Sequence, residues 1–135
     1  MRQWNSTSKI IPTMIFTSVL FSLSHALNIF QGAPILPTLE QLIFTFGFGM
    51  AAAALFIRTG SIWPSIAMHF CADIWGCLNT SAVNKSGLAI AAQAGWEDFV
   101  WVLVVCLIYT AIALIIVRPS VREDIVSLGD RKWSK

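Results

Sequence analysis

The chain has 135 residues, of which 56% are hydrophobic and only 12% are charged, and its mean hydropathy is +0.71. Soluble domains carry about a quarter charged residues, so this chain has too few ionisable groups to coat a water-facing surface, and lipid is the solvent its composition asks for. The net charge of +2 comes with a basic C-terminal segment holding Arg118, Arg122, Arg131, Lys132 and Lys135, which after an apolar span reads as an orientation signal and argues against a nucleic-acid partner.

In chain order, Arg2 and Lys9 precede a first apolar run from Ile10 to about Ile29, with Pro12 in its first turn, where proline is tolerated. The connection from Asn28 to Pro37 carries no charge, and a second run from about Thr38 to Ile57 is closed by Arg58. Gly47, Gly49 and Ala51 to Ala54 in this run are small residues that let helices approach closely. Phe44, Phe46 and Phe48 read as packing or lipid-facing bulk, and Glu40 as an interfacial charge. A third, shorter run follows Trp63-Pro64 and fades near Leu78; a fourth, Phe99 to Val117, has no charge and stops at Arg118-Pro119. A spanning helix needs roughly 20 residues, and helices buried in a bundle need not cross the whole bilayer.

The expectation is an all-α membrane protein with about four transmembrane helices in a bundle. Residues 1–9 form a cytoplasmic N-terminus, 10–117 the transmembrane domain and 118–135 a basic cytoplasmic tail. The distribution of Lys and Arg puts both termini in the cytoplasm of a multi-pass protein of the cell membrane, with Trp4, Trp63, Trp96 and Trp133 flanking the spans. Cys71, Cys77 and Cys106 lie in apolar stretches without CxxC spacing, so they read as small buried residues and not as a disulfide or zinc framework.

The informative residues are polar ones inside apolar helices. Ser18, Ser22, His25 and Asn28 follow at steps of four, three and three, which keeps them on one side of a helix. Ser65, His69 and Asp73 follow at steps of four, continued by Gly76 and Cys77. An ionisable side chain at membrane depth costs about 2.5–3.5 kcal/mol on insertion scales, so His25, His69 and Asp73 belong around one interior cavity. Two imidazoles and a carboxylate there suit a divalent metal or a proton-relaying site. The plainer alternative is that each histidine is a hydrogen-bonded packing residue and His69–Asp73 a helix-stabilising pair. One difficulty is depth: His25 is fifteen residues into its helix and His69 only six beyond Trp63, a mismatch of roughly 13 Å.

At these residues the chain resembles the CPBP intramembrane proteases, the CAAX-protease and bacteriocin-processing (Abi) family. Phe21-Ser22-Leu23-Ser24-His25 matches the family's FxxxH motif and His69-Phe70-Cys71-Ala72-Asp73 its HxxxN/D motif. The order of the two, their separation of about forty residues and the lead-in from Thr59 to Ser65 make the resemblance specific, over about Ile10 to Leu78. It implies an intramembrane endopeptidase acting on peptide or lipidated-protein substrates within the bilayer. Catalytic roles fall on His25, His69 and Asp73, with His25 and His69 the ligands of a divalent metal, zinc above others, or the groups that polarise water and the oxyanion. Phe21 would be a motif packing residue facing the cavity. The family's EExxxR motif, whose glutamate activates water, has no counterpart, since no Glu-Glu pair occurs in the chain. The expectation is therefore the C-terminal portion of such an enzyme, completed by an N-terminal half or a partner subunit. The alternative is a non-enzymatic bacteriocin-immunity or partner-binding membrane protein on the same scaffold.

Overall fold

The computed structural model describes residues 7–83 and 96–133, and among them all regular structure is helical. Arg2, Trp4, Lys85 and Lys135 lie outside the described residues, as do the side chains of Gly76, Cys77, Trp96 and Trp133. After a 3-10 turn at Thr7–Lys9 the chain forms α1 (Ile10–Ser24), a 3-10 segment (His25–Gln31), α2 (Ile35–Thr59), α3 (Trp63–Val83) and α4 (Trp96–Ile116). A 3-10 turn at Pro119–Val121 then leads into α5 (Arg122–Trp133). Three stretches, Thr7–Gln31, Ile35–Thr59 and Glu97–Ile116, are long and apolar enough to cross a membrane. The 21-residue α3 is not one of them, because Ser65, His69 and Asp73 interrupt its apolar run. The chain is an all-α membrane protein.

The central helix is α2, which packs most extensively against α1 and α4 and less so against α3. Gly47 and Gly49 explain how it serves two neighbours. A Cβ on Gly47 would stand 2.8 Å from the backbone of Cys106 in α4, and one on Gly49 would stand 3.2 Å from Ser18 in α1. Two residues advance roughly 200° around a helix, so each glycine opens one of two opposite sides. Phe48, between them, points to a third side, where α3 docks through Ser65 Oγ donating to the Ala52 carbonyl at 2.8 Å.

The apolar core sits at the end of the bundle where α1 begins and α2 and α4 finish. It comprises Ile10, Met14, Met50, Ala54, Ala113, Val117 and Ile125. The segment expected to be a plain basic tail folds back over this end as α5. Arg122 Nε donates to the Val117 carbonyl at 3.0 Å, and Lys132 Nζ to the Gly60 carbonyl at 2.6 Å. Its first turn is tied to the end of α4, its last to the end of α2, and Ile125 enters the core, so α5 bridges the ends of the two helices. Gly60, in the left-handed conformation at φ +60°, ends α2 and supplies the tight turn that leads toward α3.

Two boundaries differ from the sequence expectation. The α3 helix continues to Val83, past Leu78. The first span stops being α-helical at Ser24, and His25 opens a 3-10 segment. Ser24 Oγ and His25 Nδ1 both bond the Phe21 carbonyl, at 2.6 and 2.9 Å. A helix end meets its orphan carbonyls by such side-chain bonds and by tightening to 3-10 geometry. The backbone then leaves through Gly32 at φ +88°, with Gly32 N–H donating to Ile29 O and Ala33 N–H to Asn28 O.

Candidate active site

A cavity of about 650 Å³ opens among α1, α2, α3 and α4, and His25, His69 and Asp73 all line it. Its aromatic wall is built by Phe21, Phe44 and Phe48, with Tyr109 reaching it from α4. The Phe21 ring is edge-on to both imidazoles, 5.0 Å from that of His25 and 5.9 Å from that of His69. Phe48, only 3% exposed, lies 5.7 Å from His69 and stacks at 6.4 Å on Phe21. Phe44 and Phe48 are thus cavity walls and not lipid-facing bulk.

The depth mismatch closes mainly at the start of α3. Ser65, two residues into α3, is level with Ala52, seven residues short of the end of α2. By helical rise, α3 therefore begins roughly 7 Å inside the bundle. His69 then reaches the level of Phe21 and Phe48, and His25 stands one helical turn, about 5.4 Å, beyond Phe21.

The polar groups divide by task. Ser18 Oγ donates to its own helix at Met14 O (2.6 Å), and Ser22 Oγ crosses to Leu42 O in α2 (2.7 Å). Both serines are buried and belong to the α1–α2 seam, not to the cavity wall. His25 Nδ1 faces a carbonyl that can only accept, so Nδ1 carries the proton and Nε2 keeps the lone pair of the neutral ring. His69 Nε2 lies 3.6 Å from Asp73 Oδ2, and both side chains are half or more exposed. This is a loose pair, longer than a hydrogen bond. Asn28 Nδ2 donates to Gln41 Oε1 at 2.9 Å, tying the 3-10 segment that carries His25 onto α2. Glu40 is not part of the cavity wall; one of its oxygens is enclosed without a hydrogen-bond partner among the described residues.

Catalytic zinc takes three protein ligands and a water. Among the described residues no group of three His, Cys, Asp or Glu side chains is gathered to hold an ion. His25 and His69 share a cavity wall but do not make a ligand set by themselves.

Gln41, Thr45, Met68 and Tyr109 also line the cavity, beyond the residues that the sequence singles out. Tyr109 carried a usable signal: it is the chain's single tyrosine and lies inside a charge-free span, whereas tyrosines of membrane proteins concentrate at the interface.

Fold and cavity together define an all-helical membrane protein with two histidines on the wall of one interior chamber. The sequence model of the family described as type II CAAX prenyl endopeptidase Rce1-like matches residues 1–75. That is more than half of the 135 residues, and the chain belongs to this family. The match takes in His25, His69 and Asp73 and leaves α4, with Tyr109, outside it. No curated protein and no solved structure matches the chain.

Proposed function

We propose that the chain forms the two-histidine part of an intramembrane endopeptidase of the CAAX type, in the cell membrane, acting on peptide or lipidated-protein substrates. One observation carries the reading: two motif histidines about forty residues apart in sequence line one cavity, each edge-on to the same Phe21 ring. Beside it, an apolar groove of about 610 Å³ shares Phe21, Phe48 and His69 and continues to Phe56, Ile62 and Phe70. That groove suits the lipid part of a substrate whose peptide enters the cavity.

In this reading water adds to the scissile carbonyl and loses a proton to a carboxylate base. The carbonyl oxygen becomes an oxyanion, and its collapse expels the amine, which takes up that proton. His25 Nε2 accepts a hydrogen bond from the attacking water, and His69, doubly protonated with Nε2 toward Asp73, donates from Nδ1 to the oxyanion. With no Glu-Glu pair in the chain, the base comes from upstream sequence or a partner subunit. The test is cleavage of a prenylated CAAX peptide by membranes carrying the protein expressed from its native gene with the upstream DNA in place. His25→Ala and His69→Ala should each lower the rate by about a hundredfold or more, the size of a general acid–base contribution. Unchanged cleavage in both variants would sink the reading.

The missing glutamate pair favours a second reading, a non-enzymatic immunity or partner-binding protein on the same scaffold. It expects protection or partner binding to survive both histidine substitutions.

A further inference from the structure

The cavity's hydrogen-bonding groups come from four different elements. His25 Nε2, at the start of the 3-10 segment, and the Asp73 carboxylate of α3 are acceptors. Besides His69, two donors come from α2 and α4: the Gln41 amide nitrogen, left over when Asn28 occupies Gln41 Oε1, and the phenol of Tyr109. Thr45 does not add to them, because its hydroxyl is spent on Gln41 O at 2.7 Å.

Tyr109 is the better placed of the two donors. It lies thirteen residues into α4, roughly 20 Å from the start of that helix, well inside the apolar span. A half-buried phenol at that depth calls for a hydrogen-bond partner, and none of the described residues supplies one. Its ring is wedged edge-on against Phe44 at 6.0 Å and Phe48 at 5.8 Å. The close approach of α4 at Gly47 sets that position, since Cys106, which touches Gly47, is one turn before Tyr109 on the same face. A donor on a cavity wall is what a peptide needs when it leaves water, because each of its carbonyls must find a donor at membrane depth.

We propose that Tyr109 is a substrate-binding residue whose hydroxyl donates to a backbone carbonyl of the peptide held in the His25–His69 cavity. The inference rests on the endopeptidase reading and adds to it a residue outside the family match. Its chemistry is peptide recognition alone and involves no bond making.

The test uses the full chain in lipid nanodiscs with 3-fluorotyrosine incorporated in place of tyrosine. The probe is a dansyl-labelled peptide ending in a farnesylated cysteine and three further residues. Fluorescence anisotropy reports binding of the probe, and the fluorine resonance absent from Tyr109→Phe reports the phenol. The expected result is a saturable shift of that resonance following the anisotropy isotherm, with Tyr109→Phe weakening binding roughly tenfold, the weight of one hydrogen bond. A probe that binds without moving the resonance, and equally well to Tyr109→Phe, overturns the role of Tyr109 and leaves the endopeptidase reading standing. A probe that does not bind at all overturns both.

Discussion

Ser22 shows what a hydroxyl at membrane depth is worth. Its Oγ donates at 2.7 Å to the carbonyl of Leu42, a bond from α1 to α2 that no backbone group supplies. Cross-helix hydrogen bonds in a membrane average about 0.6 kcal/mol, with a maximum near 1.7 kcal/mol, because the separated helices also find partners. Ser22→Ala should therefore lower stability by about 0.5–1.5 kcal/mol in reversible unfolding by detergent. A variant as stable as the parent would remove Ser22 from the seam. In the sequence Ser18 and Ser22 were grouped with His25 and Asn28 by spacing alone. Spacing fixes a face of a helix but not what that face meets, and the structure divides this one between the α2 seam and the cavity. His25 was legible because an imidazole within an apolar run demands an explanation, and so was His69 with Asp73. Gln41 was not, since a glutamine one place from Glu40 near the start of a span looks like interfacial polarity.

At the level of helices, the glycines of α2 make the sharpest claim. A methyl group on Gly47 meets the Cα and carbonyl oxygen of Cys106 at 2.8 Å, so α4 itself must move. On Gly49 the nearest atoms, in Ser18, are at 3.2–3.3 Å, and a small shift suffices. Gly47→Ala should then cost about 1–3 kcal/mol, the range for overpacking, and Gly49→Ala less, by the same unfolding measurement. Adding Cys106→Ala to Gly47→Ala should restore little, because the clash is with backbone; full rescue would place the obstruction in the thiol instead. Small residues in α2 announced close packing from the sequence, but not that one glycine serves α4 and the other α1. That assignment depends on which helices fold against α2. Likewise the change to 3-10 geometry at His25 was hidden, because it follows from side-chain bonds to one carbonyl, whereas hydrophobic periodicity runs on unchanged through Ile29.

Across the whole molecule the described charges separate by end. Lys9, Arg58, Arg118, Arg122, Arg131 and Lys132 gather where α1 begins and α5 lies, with Glu123, Asp124 and Asp130 in α5 among them. At the opposite end stand Glu40, Glu97 and Asp98, with no described Lys or Arg. The positive-inside rule counts Lys and Arg near the ends of spans and gives little weight to carboxylates, so it predicts that the α5 end faces the cytoplasm even though α5 itself is evenly charged. In the folded chain α5 covers this end of the core through Ile125, and its Lys132 holds the turn from which α3 carries His69 and Asp73 inward. The orientation can be checked with single cysteines in a chain whose own cysteines are replaced by serine or alanine. Ser61→Cys, in the α2–α3 turn, should react with a membrane-impermeant maleimide only when the cytoplasmic face is accessible. Ala33→Cys, in the α1–α2 connection, should react only from the other face. Reversed labelling would invert the orientation, and labelling of both from one face would mean that α2 does not cross the membrane.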